Sequence, residues 1–172
     1  TLVYHLYVQE NFSENVMYKV HLYCLKKYIH IFDNIKITIS LDDLSRHDLI
    51  GKAFEWVNQL GNITKTQINV IKNGELGETE TFQREILEMN NDMVFFAHSK
   101  GVGRVVDNKI NNSVLIWTLF LYYENFEHIK IVEESFLTMP LYQTIFHGTM
   151  LIGSIKNESL TKALGMHYSG NF

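Results

Sequence analysis

The sequence predicts an α/β protein of three layers, α/β/α, around a mostly parallel sheet. Three observations predict it. Short β-rich stretches alternate with amphipathic helical ones in the order β-α-β-α-β-α-β, which calls for right-handed crossovers and helices on both faces. The run Val94-Phe95-Phe96-Ala97 is unbroken and apolar, as in a strand buried on both sides. Polar turns, several bearing glycine, follow the strands where an open sheet of this kind binds ligands, at its carboxyl edge.

Each element has its own warrant. Residues 1–8 are β-rich, with Leu2, Val3, Tyr4, Leu6, Tyr7 and Val8. A loop over 9–13 ends at Ser13, a candidate N-cap. From 14 to 32, Tyr18, Leu22, Leu25, Ile29 and Phe32 recur at steps of four and three, one face of a helix. Asp33-Asn34 breaks it. Ile35, Ile37 and Ile39 alternate with polar partners, a second strand over 35–41. Ile50, Ala53, Val57 and Leu60 mark a second helix, ended by Gly61. A third strand covers 67–71, followed by the turn Lys72-Asn73-Gly74-Glu75-Leu76-Gly77. Thr79 or Thr81 is placed to cap a third helix whose face is Phe82, Ile86 and Met89. The fourth strand covers 92–97. After a polar loop over 107–112, residues 114–123 and 126–137 read as helices, and Pro140 stops that region. Residues 142–152, with His147-Gly148, read as a strand, and 166–172 as a loop or strand start.

Composition narrows the class. The chain has 172 residues, 46% hydrophobic, enough for one domain with a real core. Its formal charge of −4 argues against a general nucleic-acid binder. One cysteine, Cys24, excludes a disulfide framework and a thiolate zinc cluster, reads as a small core residue, and suits a reducing, cytoplasmic compartment. No apolar run is long enough to span a membrane. The chain opens at Thr1 directly on a strand and closes at Phe172, so it is expected to be a segment of a longer one, truncated at both ends. Oligomeric state is not encoded legibly.

Four positions fall at strand ends: His5, the pair Asp42 and Asp43, the stretch 73–80 with Asn73 and Glu78, and the turn His98-Ser99-Lys100-Gly101-Val102-Gly103-Arg104. Polar turns meeting above one sheet edge make a pocket. Acidic residues there can hold ribose or base. Glycines let backbone approach a ligand, and Lys100 and Arg104 suit phosphate. For Asp42 and Asp43 the competing reading is a helix N-cap, which fits one of the two but not both. No G-x-S-x-G elbow, phosphate-binding P-loop, dinucleotide fingerprint or H-E-x-x-H is present. His21, His30 and His128 read as helix-surface residues, Trp117 as core.

The phrase Phe95-Phe96-Ala97-His98-Ser99-Lys100-Gly101 resembles the aromatic–x–His–Thr/Ser–Lys–Gly strand end of a group of bacterial and viral glycosyltransferase-like proteins. The closing His167-Tyr168-Ser169-Gly170-Asn171-Phe172 resembles the His–aromatic–Ser–Gly–Asn–Phe phrase of the same group, and Glu78-Thr79-Glu80-Thr81-Phe82 its helix start. Tyr4-His5 on the first strand matches too. The group is distantly similar to rhamnan synthesis protein F, and Asp42-Asp43-Leu44-Ser45 is similar to a strand end of inverting family-2 glycosyltransferases.

The resemblance implies a GT-A-like, Rossmann-like nucleotide-sugar fold and transfer of sugar from a nucleoside diphosphate to a glycan or polysaccharide acceptor. It implies donor-binding roles for His5, Asp42, Asp43, Asn73, Glu78, Thr81, Ser99, Gly101, Arg104 and Asn171, and catalytic roles for His98, Lys100 and His167. One departure matters: such enzymes carry an Asp–x–Asp motif for Mn or Mg, and none occurs in this chain. His98 with Lys100 is then expected to stabilise the diphosphate, with the divalent metal dispensable or held differently. No catalytic base is assigned; the candidates are His167 or a residue beyond Phe172. A non-catalytic nucleotide- or sugar-binding module of the same fold is the alternative, and an unrelated α/β enzyme of phosphorylated ligands a third.

Overall fold

The computed structural model describes residues 1–61, 63–88, 94–99, 101–105, 109, 112–131, 134, 151–153 and 166–168. Four strands form an all-parallel sheet: β1 Leu2–Tyr7, β2 Ile35–Leu41, β3 Thr66–Lys72 and β4 Phe95–His98. They lie in the order β3-β2-β1-β4. The helices α1 Val16–Tyr28, α2 His47–Asn58 and α3 Glu78–Glu88 provide the crossovers, and α4 Asn112–Tyr122 follows the sheet. The α/β class and parallel sheet agree with the sequence. Contacts divide the chain into two compact units, Thr1–Leu119 and Phe120–Phe172. The described part of the second holds the π-helical turn Tyr123–Glu127 and an antiparallel pair, β5 Leu151–Gly153 with β6 Met166–Tyr168.

Register sorts the first unit's residues onto two unlike faces. Leu2, Tyr4 and Leu6 pair with Ile35, Ile37 and Ile39, so on these two central strands one face is apolar. It packs on α1 and α2, where Tyr4 stacks on Trp56 at 6.2 Å and meets His21 edge-on at 6.3 Å. Trp56 Nε1 donates to the Tyr18 carbonyl at 2.9 Å, so the two helices are tied to each other as well. The other face presents Val3, His5 and Tyr7 beside Lys36, Thr38 and Ser40. It packs on α3 through polar contacts: Arg84 to Thr38 at 3.2 Å and Lys36 to buried Glu85 at 2.7 Å, with Phe82 against Phe96 at 4.8 Å. Glu85 holds the Lys36 ammonium above its usual range through that hydrogen bond.

Several expectations are corrected. The cap of α1 is Asn15, not Ser13; its side chain accepts from Met17 N and its amide donates to the Val102 carbonyl at 2.9 Å, anchoring the helix start to the turn after β4. His21 is fully buried under Tyr4 rather than on a helix surface. Thr81 sits within α3 rather than capping it. Among the described side chains of that helix Thr81 and Glu85 are buried, facing polar residues of the sheet; Phe82 is half-buried, and the Ile86 side chain and Met89 lie outside the described residues. Trp117 is half-buried. Cys24 is core, and burial pushes its thiol up to about 11. Pro140, His147 and most of 142–152 lie outside the described residues, whereas 126–131 and 134 are described. Among the described residues no helix is long and apolar enough to cross a membrane.

Candidate functional site

The alternation of the strands decides what reaches the carboxyl edge. His5, Tyr7, Asn73 and His98 share the α3 side of the sheet, with His5 and His98 at one register position and Ser40 beside Tyr7. Two hollows open there, of about 450 Å³ and 320 Å³, and Tyr7 and Gly103 border both.

The larger hollow lies over the ends of β1 and β2. Exposed Asp42 lines it, gripped by two donors: the Tyr7 hydroxyl at 2.7 Å on Oδ2 and the Asn73 amide at 3.0 Å on Oδ1. Ser40, fully buried, donates to Asn73 Oδ1 at 3.1 Å, which fixes the amide so that its NH₂ faces the carboxylate. Each Asp42 oxygen keeps a lone pair for a further donor. Partial burial and then the Asp42 hydrogen bond push the Tyr7 phenol up to about 12. Asp43 is spent differently. It accepts from the Ser45 amide and hydroxyl, both at 2.9 Å, and these hold its carboxyl below the usual range. It stabilises the turn before α2 rather than capping the helix. Arg46, paired with Asp48 and Glu10, borders the same hollow.

The smaller hollow lies between the ends of β1 and β4 and the start of α3. His5, Asn73, Glu78, His98, Ser99 and Gly101 line it. His5 is 2% exposed, and its Nδ1 lies 2.9 Å from Thr81 Oγ1. Burial lowers its pKa to about 4, against the opposing charge of Glu78, so the ring is neutral at pH 7. His98 Nδ1 is 3.8 Å from a Glu78 carboxylate oxygen. Gly101 has φ +82°, and a Cβ there would stand 2.6 Å from Val114, so this turn requires glycine.

The structure therefore brings together His5, Asn73, Glu78, His98, Ser99 and Gly101, with Asp42 and Asp43 across Tyr7. Thr81 is sealed behind His5, and exposed Arg104 lines neither hollow. His167 lies on β6, paired with Ile152. Lys100 and Asn171 lie outside the described residues. Among the described residues the charged side chains on the two linings are Glu10, Asp42, Asp43, Arg46 and Glu78, a predominantly acidic set. Among the described residues no three His, Cys, Asp or Glu side chains gather as a metal site.

The chain matches no family model, no curated protein and no solved structure.

Sequence reasoning missed Tyr7, Ser40 and Arg46. Tyr7 was legible in one respect: it lies two residues after His5, hence on the same face.

Proposed function

We propose that this domain is a GT-A-like glycosyltransferase that binds a nucleoside-diphosphate sugar along the carboxyl edge and passes the sugar to a glycan acceptor. The observation that supports it is the pinned Asp42 carboxylate beside a second hollow lined by His98 and Glu78. A carboxylate with both oxygens fixed and a lone pair left on each suits the paired donors of a ribose or a base. The two hollows, which share Tyr7 and Gly103 as border, are of the size that ligand sites occupy. The acidic lining leaves the diphosphate to Lys100, the residue after Ser99 in the chain. In the transfer, an acceptor hydroxyl oxygen bonds to the anomeric carbon. The bond from that carbon to the phosphate oxygen breaks, and the nucleoside diphosphate leaves with the electron pair. The hydroxyl proton passes to a base.

The test is titration of the protein with uridine, guanosine and thymidine diphosphates and their sugar derivatives, with and without Mn²⁺, and with transfer of labelled sugar to water or glycan as the readout of turnover. Asp42→Asn is expected to weaken nucleotide binding about tenfold, the loss of a charge-assisted hydrogen bond. Lys100→Ala is expected to weaken diphosphates while leaving nucleosides unaffected. Absence of nucleotide binding, or unchanged binding in Asp42→Asn, defeats the reading. The missing Asp–x–Asp favours a second reading, a binding module without turnover; tight binding with no sugar release establishes it.

A further inference from the structure

Among the described residues His5 is the one buried imidazole that lines a hollow at this edge. Its Nδ1 is engaged by Thr81. Its Nε2 has no hydrogen-bond partner among the described residues, yet it is not one of the polar atoms closed off from open space. His5 lines the smaller hollow, so Nε2 opens there.

Which proton the ring carries follows from Thr81. That residue is 0% exposed, and its hydroxyl meets nothing else among the described residues. A buried hydroxyl hydrogen without an acceptor costs its full desolvation. If Nδ1 carried the proton, ring and hydroxyl would both direct hydrogens into the same gap and the threonine hydrogen would be stranded. With Nδ1 bare, the hydroxyl donates to it and both groups are satisfied. The neutral ring then holds its proton on Nε2.

The rest of the lining selects the ligand. Glu78 accepts, the Asn73 amide both donates and accepts, and Ser99 and His98 add further polar groups. A phosphate would meet the Glu78 carboxylate; a polyhydroxyl compound finds both donors and acceptors. We infer that His5, locked by Thr81 as the Nε2–H form, is an uncharged hydrogen-bond donor that recognises a hydroxyl oxygen of the donor sugar in the smaller hollow. The sugar assignment rests on the proposed function; the state of the ring does not.

Two measurements decide it. The first is long-range ¹H–¹⁵N NMR of the ¹⁵N-histidine-labelled protein at pH 7, with His5 assigned by its absence from His5→Leu. A proton on Nε2 supports the inference, and a proton on Nδ1 or a charged ring overturns it. The second is calorimetric titration with UDP, UDP-glucose, GDP and GDP-mannose. In the wild type the bound pair is expected to show tighter binding of the sugar nucleotide than of its diphosphate. His5→Leu is expected to lose about fivefold on the sugar nucleotide alone, one neutral hydrogen bond. His5→Gln, which keeps an N–H near the position of Nε2, is expected to retain most of the affinity. Equal weakening of diphosphate and sugar nucleotide in His5→Leu overturns the placement of the sugar. If none of the four probes binds, the proposed function fails and the sugar assignment with it, and the NMR result still decides the ring.

Discussion

The two faces of the sheet bury similar side chains of one strand for opposite ends. Tyr4 and His5 are neighbours on β1, and both are buried. Tyr4 lies between α2 and α1, against Trp56 and His21, among isoleucines. His5 lies under α3 among Thr81, Thr38 and Arg84, and its free nitrogen reaches a hollow. The apolar face supplies burial energy, which is indifferent to direction. The polar face is held by directed hydrogen bonds and ion pairs, and these position side chains at the edge. Stability and site geometry are thus separated by the pleat, one residue apart.

That separation can be broken by substitution, and the apolar face should yield the largest effect. Trp56→Ala is expected to cost about 3–5 kcal/mol in chemical denaturation, through the cavity and the lost link to α1. Tyr7→Phe on the opposite face is expected to cost less than about 1.5 kcal/mol, since it removes one half-buried hydrogen bond. Comparable losses would mean that the polar face carries the fold too.

A pH titration sharpens the contrast further. The His5 pKa falls from 6.5 to about 4 on folding. The unfolded chain therefore binds more protons between those values. His5 contributes stability that is fully present above pH 6.5 and is lost as pH falls towards 4, up to about 3 kcal/mol. The difference in stability between wild type and His5→Leu should change across that window and be flat above it. A constant difference would place His5 in contact with water.

A further test on the polar face concerns the Lys36–Glu85 pair. Lys36→Met leaves Glu85, 1% exposed, with Arg84 as its remaining ion-pair partner among the described residues, and should cost about 1–2 kcal/mol, part-exposure of the lysine moderating the loss. Lys36→Met with Glu85→Leu should recover most of it. Failure to recover would show that the pair orients α3 rather than merely neutralising itself.

The same contrast explains what was legible in the sequence. The four strands were, because Ile35, Ile37 and Ile39 and the run from Val94 to Ala97 alternate or persist in ways helices do not. The edge was half legible. His5 stood out as a polar residue in an apolar strand, whereas Tyr7 passed as another aromatic; its hydroxyl gains a task only when β2 sets Asp42 beside it. Asp42 and Asp43 are chemically identical in sequence and diverge in the fold, one gripped by Tyr7 and Asn73, the other turned onto Ser45. The polar part of the inner face of α3 was passed over because amphipathic reasoning assumes an apolar sheet beneath a helix. Here Thr81, Arg84 and Glu85 answer a polar sheet. His21 was misread for the mirror reason, being a polar residue on an apolar seam.

Ser99 adds a last consequence. Its amide donates to the His5 carbonyl at 3.0 Å, and its Oγ receives the Tyr7 amide at 3.0 Å. A side-chain oxygen thus stands in for the next carbonyl and carries the zipper between β1 and β4 one rung past their regular pairing. The exits of both strands are stitched, so neither can lift alone, and slow deuterium uptake at the Tyr7 nitrogen would register the seam while Ser99→Ala would unpick it.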